Sequence, residues 1–134
     1  MIESLNWVYL LAALAAIETG GQDDGVVGKA GEISAYQILP GLWQQHLPLE
    51  KYLYTDRQVA TRVAKSILAG RVNEFCAKHN RFPTSCEVYA LWHRPGLLEQ
   101  RGWADMPALV KDRCQRFANL VELYESRGYA VKAH

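Results

Sequence analysis

The sequence has almost no excess charge and no compositional bias. Its 134 residues include 15 Lys and Arg and 14 Asp and Glu, so the formal net charge at pH 7 is only +1. We do not expect so neutral a chain to bind nucleic acid or a membrane surface through bulk charge. Hydrophobic residues make up 49% of the chain and charged residues 22%, which argues against a disordered or collagen-like polypeptide. No internal repeat or linker is evident, so the length predicts one domain with its own core.

Cysteine is scarce, and its spacing argues against a zinc site. The three cysteines are Cys76, Cys86 and Cys114, and none of them forms a CxxC pair. Three reduced thiols, buried as small hydrophobic side chains, are the simpler interpretation, and one disulfide with a spare thiol is the alternative. We do not expect any of the three to act as a nucleophile.

The apolar stretch near the start of the chain is too short to cross a membrane. Residues 7–17 (WVYLLAALAAI) are eleven residues, whereas a spanning helix needs about 20. Glu3 precedes the stretch and Lys29 is the first basic residue, which differs from the basic start of a secretory signal. We therefore predict a core helix here. Its N-cap should be Ser4, and it should end at Glu18 because two glycines follow.

The rest of the chain predicts a mostly α fold. Residues 19–34 contain five of the ten glycines and predict an irregular loop or small hairpin, where any β structure should lie. A short helix should follow at 40–46. Capping-box patterns at 55–58 (Thr-x-x-Gln) and 84–87 (Thr-x-x-Glu) predict two further helices. The first should run to about residue 78, and the second should end at Pro95 and Gly96.

A last helix should have Pro107 in its first turn and end at Gly128. The apolar stripe of this helix is predicted to comprise Leu109, Val110, Phe117, Leu120, Val121 and Tyr124.

Charge is divided unevenly between the two parts of the chain, because residues 1–50 carry a net charge of −5 and the remainder +6. The division fits carboxylates facing a surface that holds an anionic substrate, and it fits ordinary surface scatter equally well.

Glu18 is the first candidate for chemistry. It lies in the last turn of the predicted first helix, behind an apolar run and before two glycines that allow close approach. The partial negative charge of the helix end and the apolar wall both disfavour the ionised carboxylate. A carboxyl group that keeps its proton near neutral pH can act as a general acid in glycosidic cleavage. The alternative is a glutamate that marks a solvated helix end.

Three short blocks resemble a known superfamily in order and spacing. Residues 16–21 (AIETGG) resemble a helix end with a catalytic glutamate, and residues 31–40 (GEISAYQILP) resemble a block of the form G-x-x-G-L-M-Q-I-x-P. Residues 90–96 (ALWHRPG) are similar to the segment A-x-Y-N-A-G-P that closes a cleft. Together they resemble the lysozyme-like superfamily, especially soluble lytic transglycosylases and goose-type lysozymes. Ser34 and Ala35 replace the usual Gly-Leu, and the third block lacks the asparagine and the first glycine.

The resemblance implies an α+β lysozyme-like fold with Glu18 as the catalytic acid. Glu18 would protonate the bridging oxygen of the β-1,4 bond between N-acetylmuramic acid and N-acetylglucosamine. Glu32 is the best candidate for a second catalytic carboxylate, and a salt bridge or backbone hydrogen bond that organises the loop is its alternative role. Asp23 and Asp24 are interpreted as solvated loop residues. Hydrolysis and transglycosylation to a 1,6-anhydro product both remain open.

The same resemblance implies a substrate-binding set around Glu18. Gln37 would hydrogen-bond an acetamido or hydroxyl group, and Tyr36 would offer its ring to a sugar. Trp92 and His93 would complete the opposite wall, although the helical spacing of Trp92 fits a core position equally well. The remaining tryptophans, Trp7, Trp43 and Trp103, are assigned to packing.

The expected partner of this monomeric protein is therefore a peptidoglycan glycan strand or a related N-acetylated polysaccharide. No metal, organic cofactor or nucleic acid is expected. The localisation is left open, because action on the cell wall or in the periplasm requires delivery or a leader that has been removed. One alternative function is a lysozyme-like module that binds glycan or is structural, without catalysis. Another is a small helical interaction protein that contacts nucleic acid through its basic half, although the sequence contains no recognition motif for it.

Overall fold

The described part of the chain contains six α-helices, and the sequence predicted five of them. A computed structural model describes residues 6–20, 27–47 and 53–127. The helices are α1 (Trp7–Thr19), α2 (Pro40–His46), α3 (Arg57–His79), α4 (Ser85–His93), α5 (Pro95–Arg101) and α6 (Ala108–Ser126). A 3-10 turn at Trp103–Asp105 lies between α5 and α6. Helix α2 lies at the residues where the short helix was expected, and α5 is the one that was not predicted. The prediction of a mostly helical chain is confirmed.

Helix α1 ends within one residue of its predicted end. Gly20 adopts the left-handed conformation with φ of 77°, and its N–H donates to the carbonyl of Ala16 at 2.9 Å. Glycine has no Cβ to clash in this conformation, so it terminates a helix at little cost. Asn6 occupies the N-cap position with no side-chain capping bond. The predicted cap, Ser4, lies outside the described residues.

The two predicted capping boxes have different outcomes. At α4 the box is confirmed, because the Thr84 hydroxyl accepts from the Glu87 N–H and the Glu87 carboxylate accepts from the Thr84 N–H. At α3 the predicted cap, Thr55, is wrong. Asp56 immediately precedes the first helical residue, and its Oδ1 accepts from two backbone N–H groups at 2.9 and 3.2 Å. A short acceptor side chain on an extended residue at this position satisfies the unpaired N–H groups of the first turn.

Between α4 and α6 the structure contains elements that the sequence did not predict. Pro95 and Gly96 begin helix α5, and a single residue, Arg94, separates it from the end of α4. Proline fits the first position of a helix, where its missing N–H costs no hydrogen bond, so this Pro-Gly pair ends one helix and starts another. Helix α6 begins one residue after Pro107, and its predicted end at Gly128 lies outside the described residues.

The predicted apolar stripe of α6 is wrong at Leu109, which is 86% exposed. The buried face of the helix contains Val110, Cys114, Phe117 and Val121, at the spacing of one helical stripe. Leu109 precedes Val110 by one position, which turns its side chain about 100° away from that stripe.

Helices α1 and α4 each pack against α3 and α6, which places the end of α1 beside α4 and α6. Trp43, Tyr89 and Phe117 are the largest fully buried side chains, and Trp7 and Trp103 pack partly buried against the same core. All three cysteines are free thiols, with Cys76 and Cys114 buried and Cys86 half-buried.

In the described part of the chain, β pairing is limited to isolated antiparallel bridges of Ile33 with Val27 and with Ile38. The pairing therefore extends a few residues beyond the predicted loop at 19–34. None of the described helices is both long and apolar enough to cross a membrane.

Candidate active site

A cavity of about 530 Å³ opens between the end of α1, the loop before α2 and the start of α5. Five of the six predicted site residues line it, namely Glu18, Glu32, Gln37, Trp92 and His93. Two cations that the sequence analysis did not select, Arg71 and Arg113, complete its polar lining. Its volume falls within the range of roughly 300–1,000 Å³ that is typical of small-molecule sites. The fold therefore brings residues that lie up to 95 positions apart into one cavity.

The position of Glu18 is fixed by the residues that follow it. Thr19 Oγ1 lies 3.2 Å from the carbonyl oxygen of Ala15, within α1. It also lies 2.9 Å from the carbonyl oxygen of Ala35, in the loop before α2. The threonine therefore ties the end of α1 to the loop that carries Glu32 and Gln37. Only 11% of the Glu18 side chain is exposed, so the carboxyl group sits at the wall of the cavity.

Two donors converge on one oxygen of the Glu18 carboxyl group. Tyr89 Oη on α4 donates to Glu18 Oε2 at 2.8 Å, and Arg113 Nη2 on α6 donates to the same oxygen at 2.8 Å. Arg113 Nε also donates to Tyr89 Oη, so the three side chains form a closed triangle. Within the described part of the chain, Glu18 Oε1 has no hydrogen-bond partner. The charge-assisted contacts thus restrain one carboxyl oxygen and leave the other available.

The titratable groups around the Glu18 carboxyl group have shifted pKa values. Burial, followed by the nearby Glu18 charge, raises the pKa of Tyr89 well above its usual range, so its hydroxyl keeps its proton. Burial lowers the pKa of Arg113, but its hydrogen bonds to Tyr89 and Glu18 outweigh that effect and raise it. Burial, and then the charge of Arg113, lower the pKa of His93, so this imidazole is neutral at pH 7. The His93 ring stacks on Tyr89 with 5.5 Å between centroids.

The loop before α2 supplies Glu32 and Gln37. Glu32 Oε1 accepts from the Ala30 N–H at 2.8 Å, and Gln37 Nε2 donates to the Ser34 carbonyl at 2.9 Å. Glu32 thus lines the cavity and also makes the backbone hydrogen bond that was its alternative role. Ser34 and Gln37 both have positive φ, at 75° and 54°. Such backbone strain in non-glycine residues often marks functional loops.

Arg71 supports the opposite wall of the cavity. Its Nη1 donates to the carbonyls of Leu91 and Trp92, at 2.9 and 3.0 Å, which satisfies acceptors in the last turn of α4. Burial lowers the pKa of Arg71. Trp92 is half-buried, and it both lines the cavity and packs against the core.

Tyr36 differs from the expectation. Its side chain is buried, and its hydroxyl lies 2.8 Å from Thr61 Oγ1 on α3. It lines a separate cavity of about 270 Å³ together with Trp7, whereas the next residue, Gln37, lines the main one. Burying the large ring against α3 stabilises the fold, so Tyr36 packs where a sugar-facing role had been predicted. Asp23 and Asp24 lie outside the described residues.

Three residues of the cavity wall, Tyr89, Arg113 and Arg71, were not predicted from the sequence. Tyr89 could have been found from its position, because it lies one helical turn before the Trp92–His93 pair on α4. Nothing local distinguishes Arg113 or Arg71 from the other basic residues of their helices. In the described part of the chain, no group of three His, Cys, Asp or Glu could hold a metal ion. No protein-family model, curated protein or solved structure matches this chain.

Proposed function

We propose that the protein is a lysozyme-like enzyme that cleaves peptidoglycan glycan strands, with Glu18 as the general acid. The observation that carries the proposal is the cavity in which Glu18, nearly buried, meets Glu32, Gln37, Trp92 and His93. Those residues come from all three sequence blocks that resemble the superfamily. An aromatic side chain, an amide and carboxyl groups also form a lining suited to sugar rings and their acetamido groups.

The proposed reaction begins with proton transfer. Glu18 donates its carboxyl proton to the bridging oxygen of the β-1,4 bond between N-acetylmuramic acid and N-acetylglucosamine, and the bond from that oxygen to the anomeric carbon breaks. Positive charge develops at the anomeric carbon, and a nucleophile then forms the new bond there. The nucleophile releases a proton as this bond forms. Glu32 accepts it when water attacks, and the Glu18 carboxylate accepts it when a sugar hydroxyl attacks.

Two nucleophiles fit this scheme, and they define two product classes. Attack by water, with Glu32 as base, gives a reducing muramoyl end. Attack by the 6-hydroxyl of the muramoyl residue itself gives a 1,6-anhydro end and needs no second carboxylate.

One observation favours a second candidate function, a lysozyme-like module that binds glycan without cleaving it. Arg113 Nη2 lies 2.8 Å from Glu18 Oε2, and an ion pair of this kind gives the glutamate a structural role by itself. In this alternative the triangle of Glu18, Tyr89 and Arg113 joins three helices and has no catalytic role. The wall of the cavity would still bind sugar.

A product analysis with one isosteric variant tests the proposal. We expect purified protein incubated with peptidoglycan to release soluble muropeptides, and Glu18→Gln to release at least about 100-fold less, because the amide cannot donate the proton. Mass spectrometry identifies the product ends. Glu122→Gln is the matched control, since it makes the same change at an exposed position on α6, and it should retain full activity.

Each result has a distinct meaning. Anhydro ends that disappear in Glu18→Gln support a lytic transglycosylase. Reducing ends that disappear in Glu18→Gln support a hydrolase, for which Glu32 is the candidate base. Equal turnover by the wild type and Glu18→Gln contradicts the role of Glu18. If no wall type yields product but the protein is retained on insoluble peptidoglycan, the non-catalytic module is the better description.

A further inference from the structure

The contacts of Arg113 are unequal between the two oxygens of the Glu18 carboxyl group. Arg113 Nη2 and Tyr89 Oη both donate to Oε2, at 2.8 Å each, and Oε1 is not engaged by any described residue. An oxygen that already accepts two hydrogen bonds is the less favourable place for a proton. When Glu18 is protonated, the proton therefore resides on Oε1, the oxygen left available to a ligand.

Arg113 is suited to fix this asymmetry because it is itself held in place. Its Nε donates to Tyr89 Oη while its Nη2 donates to Glu18, so two nitrogens of one planar group serve two partners. The guanidinium also lies over the Tyr89 ring, with 5.8 Å from Cζ to the ring centroid. A planar group with several fixed donors restricts the orientation of a carboxylate more strongly than an ammonium can.

The same contact is the ion pair of the site. Arg113 is the only cation in ion-pair contact with Glu18 among the described residues, and 34% of its side chain is exposed. The other titratable groups that face Glu18 are Tyr89, which stays protonated, and His93, which is neutral at pH 7. Glu32 and Arg71 line the same cavity and carry opposite charges. Among the described cations, Arg113 is thus the one whose loss should act most directly on the Glu18 carboxyl group.

We propose that Arg113 is a positioning residue for Glu18, which holds Oε2 and leaves the proton of the acid on Oε1. This inference rests on the proposed function for its role in turnover, while the contact itself can be tested without turnover. Replacing Arg113 by a neutral residue removes a positive charge 2.8 Å from Oε2, so we expect Glu18 in the variant to lose its proton at higher pH than in the wild type. The alkaline limb of the activity profile then moves upward, although the maximal rate falls because the carboxyl group is no longer held.

The direct test is a titration of the carboxyl group. Protein labelled with carbon-13 at the glutamate side-chain carboxyl is titrated by NMR, and the signal that is absent from Glu18→Gln identifies Glu18. We expect the signal to titrate at higher pH in Arg113→Met than in the wild type. Arg113→Lys, which keeps the charge, should titrate close to the wild type, and it keeps the test available if Arg113→Met does not fold. Arg116→Met, an exposed change one turn away, is the matched control.

The kinetic test uses the same variants on peptidoglycan. We expect the alkaline limb of kcat/KM to move up by about one pH unit in Arg113→Met, within the range that a neighbouring arginine produces. We expect kcat at the optimum to fall about 10-fold or more, because a displaced catalytic group loses much of its rate advantage. A purely structural role would lower activity without moving the limb.

The outcomes separate this inference from the proposed function. If Glu18 titrates identically in the wild type and Arg113→Met, the inference is overturned, whatever the activity. If the titration moves but the wild type cleaves no peptidoglycan at any pH, the proposed reaction fails, and with it the role of Arg113 in turnover. The inference is supported if both the Glu18 titration and the alkaline limb of kcat/KM move to higher pH in Arg113→Met and neither moves in Arg116→Met.

Discussion

At the scale of single residues, one glycine holds open the space in which two side chains of the candidate site lie. A Cβ added at Gly28 would meet Gln37 Oε1 and would come within 2.6 Å of Glu32 Oε1. Gly31 lies three positions further, where an added Cβ would contact nothing within 4 Å but φ is 85°. The first glycine is needed for space and the second for its backbone conformation.

Substitutions at these two glycines should distinguish an effect on the geometry of the cavity from an effect on the stability of the fold. We expect Gly28→Ala to displace Glu32 and Gln37 and so reduce activity or glycan binding several-fold. Its stability should change little, because the contacts are with ends of flexible side chains. Gly31→Ala should lower the free energy of unfolding by about 1–2 kcal/mol from backbone strain, with the site intact. Urea unfolding and product assays measure both, and a greater loss of activity in Gly31→Ala would contradict this assignment.

At the scale of elements, the ends of helices decide where functional side chains lie. Helix α3 begins at the cap formed by Asp56, runs unbroken through Gly70, and places Arg71 below the last turn of α4. Helix α4 begins at its capping box and places Tyr89 and His93 one turn apart, facing Glu18 and the cavity. The register of each helix, set at its first turn, therefore determines which residues reach the site.

The cap of α3 can be tested against the cap that the sequence pattern suggested. We expect Asp56→Ala to lower the free energy of unfolding by about 1 kcal/mol, the usual loss for an acceptor at the N-cap. Thr55→Ala should cost much less, because the first-turn N–H groups of α3 bond to Asp56. Urea denaturation of the two variants side by side measures the difference. Equal losses would mean that Thr55 shares the cap in solution.

At the scale of the whole molecule, stability at acidic pH should depend on a carboxylate outside the cavity. Glu87 accepts hydrogen bonds from Arg81 at 2.8 and 2.9 Å, and its side chain is only 8% exposed. The hydrogen bonds from Arg81 outweigh burial and hold the pKa of Glu87 below its usual range. A lowered pKa in the folded state stabilises the protein above the unfolded-state pKa, and this stabilisation disappears as pH falls through the folded-state value.

The corresponding variant is Glu87→Gln, which keeps the capping acceptor and removes the charge. We expect it to be less stable than the wild type by about 1 kcal/mol at pH 7, a modest value because solvent screens the exposed Arg81. The difference should shrink as pH falls from about 4.3, the ordinary glutamate pKa, through the lower folded-state value. Urea midpoints from pH 7 down through this range measure it, with Glu99→Gln, in an exposed ion pair, as the control. A difference that does not change with pH would assign the effect to packing.

The sequence by itself determined the helical class, the positions of most helices and the candidate acid. Apolar spacing, glycines after helix ends and the Thr84 box are local signals, and they specify elements because helix formation depends on neighbouring residues. The same signals failed where two local choices compete. Thr55 and Asp56 both offer an acceptor, and Pro95 and Gly96 both end a helix and begin one.

Only the tertiary structure decided what surrounds Glu18. Tyr89 and Arg113 lie 71 and 95 residues from it along the chain, so no pattern within a helix could pair them. Their contact depends on how α1 and α4 pack against α6, and that packing is decided by the fit of buried faces over the whole core. For the same reason Tyr36 turned into the core while its neighbour Gln37 reached the cavity. Local sequence sets the type and ends of an element, and burial of all elements together sets which side chains meet.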